Sequence, residues 1–379
     1  MNNILIVGDF FPVQSNLSFF ADGNVGELFD NEIIQLFTNT DYRACNLEGA
    51  LTDSSIRMEK TGPVIVAPTK VVNAYKALGI DYCLLANNHI TDARDQGVVD
   101  TMTTLENAGI QYVGAGKDES AIPHHFFISV GGKKICIYNV CETMYNKPSS
   151  IHAGAWLYDE YVVCKELESL KKQCDFIVVV YHGGIEKFRY PSPETKKRFH
   201  RMADSGADVI LSQHTHCIGC EEYYNGSYLL YGQGDFLFNN FRPKLTDTGI
   251  IVELSFKEGQ MQIKKHFVKC TGNYCLQYVK NYDFSEFEER SSHVNDDAFL
   301  DAQFQQFCMK ELRLYLTAFK SPGLVLRALR KVFPKRFNKW LRSKAYRRKD
   351  LMFALHTLRS EQNRETAIVG MEKLLEIDT

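Results

Sequence analysis

The sequence predicts an α/β protein, a four-layer α-β-β-α sandwich with a helical C-terminal extension. Three observations lead there. Short apolar runs alternate with segments of helical periodicity, the pattern of βα units around a largely parallel or mixed sheet. Two further stretches are rich in β-forming residues and carry no helical pattern within them, which suggests a second sheet packed on the first. After about Asn281 the chain becomes charged, helical and strand-poor, dividing it into a main domain at 1–280 and a helical, basic region at 281–379.

In chain order, the clearest strand candidates are Ile4 to Val7, Tyr82 to Leu85, Phe176 to Tyr181 and Val209 to Leu211, with a weaker one at Tyr42 to Cys45. Between them, Gly26 to Phe37, Lys70 to Leu78, Val98 to Ala108, Tyr161 to Lys172 and Glu194 to Ala203 carry apolar residues at helical spacing. Gly79, Gly109 and Gly206 supply the expected helix stops. Phe126 to Val130 and Lys134 to Val140 flank Gly131-Gly132 and read as a hairpin. A second all-β stretch runs from about Glu221 to Val268, and the acidic segment Phe284 to Asp297 reads as a linker or surface loop.

Composition narrows the function. At 45% hydrophobic and 24% charged residues over 379 positions, the chain has enough apolar material for a large core without external staples. A net charge of −2 gives no general signal for nucleic acid, and no nucleic-acid partner is expected. Eleven cysteines, an odd number without framework spacing, fit a reducing compartment. The N-terminus has no basic lead or long apolar run, so the expected location is the cytoplasm, with peripheral attachment to the inner membrane face as the variant.

Five polar clusters follow predicted strands: Gly8-Asp9, Asn46-Leu47-Glu48, Asn87-Asn88-His89, His182-Gly183-Gly184 and His214-Thr215-His216. In open α/β sheets, ligand sites lie beyond the carboxyl ends of strands, where loops converge on a rigid frame. The inventory of Asp9, Glu48, Asn88, His182, His214 and His216 mixes carboxylate, amide oxygen and imidazole. That mixture suits one or two divalent ions of Mn, Fe or Zn better than Ca or Mg, which prefer all-oxygen shells. Paired ions of this kind serve the hydrolysis of phosphoesters and some amides.

The ordered set resembles the calcineurin-like metallophosphoesterase superfamily, and within it the CapA-type poly-γ-glutamate capsule-synthesis proteins. That branch carries GD, NLE, ANNH followed by Asp, H-x-G-x-E, a paired-histidine motif and G-N-F-x-F. This chain shows Gly8-Asp9, Asn46-Leu47-Glu48, Ala86-Asn87-Asn88-His89 with Asp92, His182-Gly183-Gly184-Ile185-Glu186, His214-Thr215-His216 and Gly234-Asp235-Phe236-Leu237-Phe238. The resemblance spans roughly residues 3 to 270 and implies a sandwich of metallophosphoesterase type.

It further implies that Asp9 and His216 hold one metal, that Asn88, His182 and His214 hold the other, and that Glu48 bridges them. His89 would face the leaving group as general acid, with Asp9 the other catalytic residue. Three departures stand out: Phe11 where the superfamily usually has His, Glu48 where an Asp usually bridges, and Gln213 where Gly usually precedes the paired histidines. The implied activity is metal-dependent hydrolysis in synthesis of a capsule or related surface polymer, with an anionic small-molecule or polymer substrate and capsule-synthesis partners. A general phosphoesterase acting on nucleotides or sugar phosphates, and a non-catalytic polymer-binding scaffold, remain open beside it.

Other features carry less. Asp235 is read either as orienting a ligand histidine or as a buried structural acid, and Cys217-Ile218-Gly219-Cys220 is a lone CxxC. Arg57, Lys60 and His152 lie in loops that could reach over a cleft to an anionic substrate. From Lys320 to Lys349 there are twelve Lys or Arg and no Asp or Glu, with Phe337, Trp340, Leu341 and Ala345 at helical spacing. That segment reads as a contact for an anionic membrane surface or as a helix packed on the main domain.

Overall fold

The computed structural model describes residues 2–238, 246–271, 275–316 and 348–374. They fall into two compact units, one of residues 1–58 and 64–301, the other of 59–63 and 302–379.

The first unit contains two large sheets. Parallel strands Asn3–Phe10, Tyr42–Leu47, Tyr82–Leu84 and Gln111–Val113 lie side by side in the first sheet, which Thr248–Lys257, Gln260–Cys270 and Leu276–Tyr278 extend in antiparallel fashion beyond Asn3–Phe10. The short strand Asp235–Leu237 pairs in parallel with the end of Asn3–Phe10. In the second sheet, Lys133–Cys141, Phe176–His182, Val209–Gln213 and Ser227–Leu230 run parallel, flanked by the antiparallel edges His125–Val130 and Glu221–Tyr224.

Side-chain alternation explains the layering, because successive residues of a strand point to opposite faces. Ile4 and Ile6 meet Val178, Val180, Val209 and Leu211 between the sheets, while Leu5 and Val7 join the core on the outer face of the first sheet. Ile177, Val179 and Tyr181 face outward from the second sheet, against Val163, Leu167, Phe199 and Met202. Both faces of both sheets are therefore buried, which is why these strands read as unbroken apolar runs. Each fully buried Val, Leu or Ile contributes roughly 1.5–3 kcal/mol.

Helices Asn31–Thr38, Val72–Leu78 and Arg94–Ala108 cover the first sheet, while Glu160–Lys171 and Pro193–Asp204 cover the second. The result is the expected α-β-β-α sandwich. The hairpin turn at Gly131 and Gly132 has φ of 59° and 74°, values that suit glycine.

Two expectations change. Gly26 to Phe37 is not one helix: Val25–Leu28 stops at Phe29, and Asp30 caps a new helix by accepting from Ile33 N at 2.9 Å. The acidic segment read as a linker contains a helix, Ser285–Ser292, whose Phe287 is buried in the core between the sheets. One apolar anchor holds a helix that its polar composition conceals.

In the second unit the later part of helix Asp297–Leu316 packs on helix Glu361–Leu374, where Gly370 lies against Cys308 and Leu312. Helix Arg348–Arg359 precedes it, and Arg348 pairs with Glu59. Of the basic stretch 320–349, residues 320–347 lie outside the described residues. Among the described residues no helix is long and apolar enough to cross a membrane.

Candidate metal centre

Parallel strands place their carboxyl ends together, and the sequence-predicted residues stand there. Asp9 is near the end of Asn3–Phe10, Glu48 follows Tyr42–Leu47, Asn88 follows Tyr82–Leu84, His182 ends Phe176–His182, and His214 follows Val209–Gln213. Asp9, Glu48 and His182 are fully buried; Asn88, His214 and His216 are nearly so.

The backbone is unusual at two points. His214 and His216 adopt φ of 83° and 53°, in the left-handed region that non-glycine residues seldom enter. Two such residues flanking Thr215 indicate a conformation imposed by the surrounding fold, and strain of this kind concentrates at functional sites. Below them, Gly8 packs so closely on Gly234 that a Cβ at position 8 would strike the Gly234 carbonyl oxygen. Gly234, at φ 70°, is held to glycine for a different reason, since a Cβ there would strike the Thr248 carbonyl oxygen; each of the two glycines is followed by an aspartate.

Side chains converge from both sheets. His182 Nε2 is 2.9 Å from Asn88 Oδ1 and 3.6 Å from Glu48 Oε1. Its Nδ1 is 3.2 Å from Asn46 Nδ2, which also donates to Asp9 Oδ1 at 2.7 Å, so Asn46 ties the two sheets' ligand candidates together. His216 Nδ1 lies 3.3 Å from Asp9 Oδ2 and 2.8 Å from Asp235 Oδ1. The backbone N–H of His214 donates to Asp9 Oδ2 at 3.3 Å.

Three overlapping groups therefore have donor atoms within 4.8 Å of one another: Asp9, Glu48 and His182; Glu48, His214 and His216; and Asp9, His216 and Asp235. Both carboxylate oxygens of Glu48, both ring nitrogens of His214 and Asp235 Oδ2 are buried without a hydrogen-bond partner among the described residues. Leaving a buried polar group unpaired costs about 1–3 kcal/mol, and more for a charge. A buried set of carboxylate, amide and imidazole donors fits a divalent cation, which would satisfy these atoms together.

The electrostatics follow from burial and proximity. Burial pushes the Glu48 carboxyl well above its usual range, and the neighbouring Asp9 charge adds to the rise. Burial would raise Asp9 too, but the His216 hydrogen bond and the His182 charge outweigh it and hold Asp9 below the ordinary range. Burial keeps His182 well below its ordinary value and takes His214 down to about 4, leaving both as neutral imidazoles at pH 7. For His216 burial acts downward, but Asp235 and Glu48 raise the group above its ordinary value.

His89 stands apart from these groups. Its Nδ1 is 2.7 Å from Asp92 Oδ2, which also accepts from Ile65 N at 2.6 Å. Its Nε2 is 3.9 Å from Glu48 Oε1, so the ring is oriented from behind and faces the cluster. Phe11, in the place where a histidine would extend the first position, is buried against Gly49.

Glu142 is a site residue that sequence reasoning missed. It is 2% exposed; its Oε1 lies 3.7 Å from His214 Nε2, and its Oε2 accepts from Gly184 N at 3.3 Å. The strand Lys133–Cys141 reads as half of a hairpin, yet it also pairs in parallel with Phe176–His182, which carries its carboxyl end to the same edge. A polar residue directly after that strand was the available signal.

Several candidates do not join the cluster. Arg57 bonds to the carbonyls of Ser54 and Ile56 at 2.6 and 2.7 Å, and the exposed His152 pairs with Asp95 at 2.9 Å. Lys60 belongs to the second unit. Cys217 turns its Sγ toward the Phe188 carbonyl at 3.7 Å, and burial pushes its thiol up to about 11. All eleven cysteines are free thiols.

Residues 3–240 match the family described as bacterial capsule synthesis protein PGA_cap, a match that takes in more than half of the chain. The chain belongs to this family. Among the proteins it is similar to, the capsule biosynthesis protein CapA of Bacillus anthracis is 26% identical over 222 residues, covering 56% of this chain and 54% of that protein. A probable polyglutamine synthesis accessory protein of Mycobacterium tuberculosis is 32% identical over 212 residues, covering 52% of this chain and 56% of that protein. The chain thus spans about half the length of the curated relatives it matches. A crystal structure titled as a novel phosphatase from Mycoplasma pneumoniae aligns at 14% identity and a TM-score of 0.45, covering 76% of this chain and 98% of that one. A hypothetical protein of Thermus thermophilus aligns at 15% identity and a TM-score of 0.44, covering 70% and 99%. The four layers seen here are those that the PGA_cap motif set implied.

Proposed function

We propose that this PGA_cap protein is a metal-dependent hydrolase acting on a phosphoester or amide bond in the synthesis or processing of poly-γ-glutamate or a related anionic surface polymer. One observation carries the proposal. Glu48 and His214 have buried donor atoms with no partner among the described residues, in a cluster that Asp9, His182 and His216 complete.

Asp9, His216 and Glu48 would hold one ion, and Glu48, Asn88, His182 and His214 the other. When bound, such ions polarise a substrate oxygen and generate a nucleophile from water at neutral pH. The chain's own residues have separable tasks. Asn46 fixes Asp9 and His182 relative to each other, and the burial of His182 and His214 keeps each a neutral imidazole with one ring nitrogen free to donate its lone pair to a cation. His89, oriented by Asp92, delivers a proton from Nε2 to the leaving group. The names of the CapA and polyglutamine-synthesis relatives supply the polymer context.

A second reading draws on Phe11. An apolar side chain fills the place of a usual ligand, which favours a scaffold that binds polymer without cleaving it. With either reading the basic stretch 320–349 would offer a contact for anionic lipid at the inner membrane face, as the peripheral variant of a cytoplasmic location.

Elemental analysis of purified protein, joined to a screen of phosphoesters against γ-glutamyl amides, tests the proposal. Bound Mn, Fe or Zn with turnover lost in Asp9→Asn and His182→Ala supports hydrolysis. Full turnover after metal stripping would refute it, and bound metal with no turnover on any substrate would favour the scaffold.

A further inference from the structure

Phe11 leaves the first ion position one ligand short, yet the structure places a second carboxylate there. Asp235 pairs directly with Asp9 across neighbouring parallel strands, so the two carboxylates emerge side by side. The sequence motif makes the same point: where the branch pattern reads G-N-F-x-F, this chain has Gly234-Asp235-Phe236-Leu237-Phe238, an acid in place of an amide.

The geometry is that of a ligand group. His216 Nδ1 is within reach of both carboxylates, 2.8 Å from Asp235 Oδ1 and 3.3 Å from Asp9 Oδ2. Donors about 2.1 Å from an ion at right angles to one another sit about 3 Å apart, so these separations match neighbouring ligands on one cation. Asp235 is 4% exposed, and its Oδ2 is buried with no partner among the described residues. Phe238 stacks on His216 with ring centroids 5.1 Å apart and planes 7° apart, holding the imidazole in place.

We propose that Asp235 is a direct ligand of the first ion, replacing in this chain the donor that Phe11 does not provide. This inference rests on the metal-centre reading above and adds to it a residue that the motif set assigns no ligand role. Asp235 would otherwise only orient His216, accepting the Nδ1 proton through Oδ1 in the manner of a carboxylate behind a ligand imidazole.

The two roles differ in what Asp235→Asn should do. Asparagine keeps an oxygen for the His216 proton but loses the anionic donor. Metal content of the full chain, equilibrated with Mn alone and measured by elemental analysis after dialysis, should fall from two ions to one in this variant. Phe11→His added to Asp235→Asn should bring the second ion back. Two ions in both wild type and Asp235→Asn would overturn the ligand role while leaving the metal centre intact. One ion in wild type would overturn it as well, and none would overturn the hydrolase reading with it. Should Asp235→Asn fail to fold, electron paramagnetic resonance of the Mn-loaded wild type decides: a spin-coupled pair supports the inference, and an isolated-ion spectrum overturns it.

Discussion

Asp9 and Asp235 face each other in register on adjacent parallel strands, and each directly follows a glycine, Gly8 lying against the Gly234 carbonyl where a Cβ would not fit. The carboxylates are close because the missing side chain at Gly8 lets its backbone approach Gly234. Gly8→Ala should therefore cost several kcal/mol, in the range of strain from overpacking, about 1–3 kcal/mol or more. Thermal melts should show a lowered transition or insoluble protein, and metal content should fall with it; an unchanged melting temperature would show that the contact yields freely.

Removing metal should expose the cost of the buried donors. A ligand at about 100 times its dissociation constant stabilises the folded state by about 2.7 kcal/mol. For a unit of this size that corresponds to a shift of about 4–5 °C. Chelation should lower the melting temperature by that order and added Mn should restore it, whereas overlapping melts would argue against a resident ion.

His89→Ala separates acid catalysis from metal holding. The ring faces the cluster without belonging to any of its donor groups, so metal content should stay at the wild-type level. Turnover should fall by about 10²–10⁴-fold, the usual contribution of a general acid. Substrates with a good leaving group, which need no proton, should recover most of that loss.

The buried imidazoles set a direction for pH. His214 titrates at about 4 in the folded chain against an ordinary 6.5, and His182 is lowered in the same sense. Between those values the unfolded chain takes up protons that the folded, metal-free protein refuses. The contribution of these two imidazoles to its stability should therefore be fully present above about pH 6.5 and be lost as pH falls toward 4, while the raised Glu48 and His216 act in the opposite sense. Melts of chelated protein from pH 7 to pH 5 should show that loss against His214→Gln, which lacks the His214 share of it. Equal slopes would assign the effect elsewhere.

The basic stretch has its own readout. Each Lys or Arg near an anionic leaflet is worth about 1 kcal/mol, so half of the twelve in 320–349 would give reversible attachment. The full chain should sediment with vesicles of anionic lipid and remain behind with neutral ones, an attachment that rising salt weakens. Equal recovery with both would leave the stretch without a membrane role.

What the sequence disclosed follows from where its signals were strong. Strands buried on both faces show as apolar runs, and polar residues directly beyond them mark one edge, so Asp9, Glu48, His182 and His214 were legible. Glu142 was not, because a hairpin strand read by its local turn conceals its parallel neighbour forty residues later in the chain. The break at Phe29-Asp30 was hidden by continuous helical periodicity, although Asp30 is a sound helix cap. Ser285–Ser292 was missed because Phe287 is its one apolar residue, and its other tertiary contacts run through polar side chains such as Arg290 and Ser291. For Asp235 the residue was visible, but its pairing with Asp9 depends on a short strand that only the assembled sheet reveals.

The glycine crossing also bears on how the domain is made. Asp9 leaves the ribosome more than two hundred residues before its neighbours Gly234 and Asp235, and Gly249 packed behind them. Until then the first strand lacks its antiparallel flank Thr248–Lys257 as well as the second carboxylate. A nascent or truncated chain therefore holds most of the metal donors without the frame that aligns them. On the metal-centre reading, ion capture would then be a late event in biogenesis, one that distinguishes a finished domain from an interrupted one.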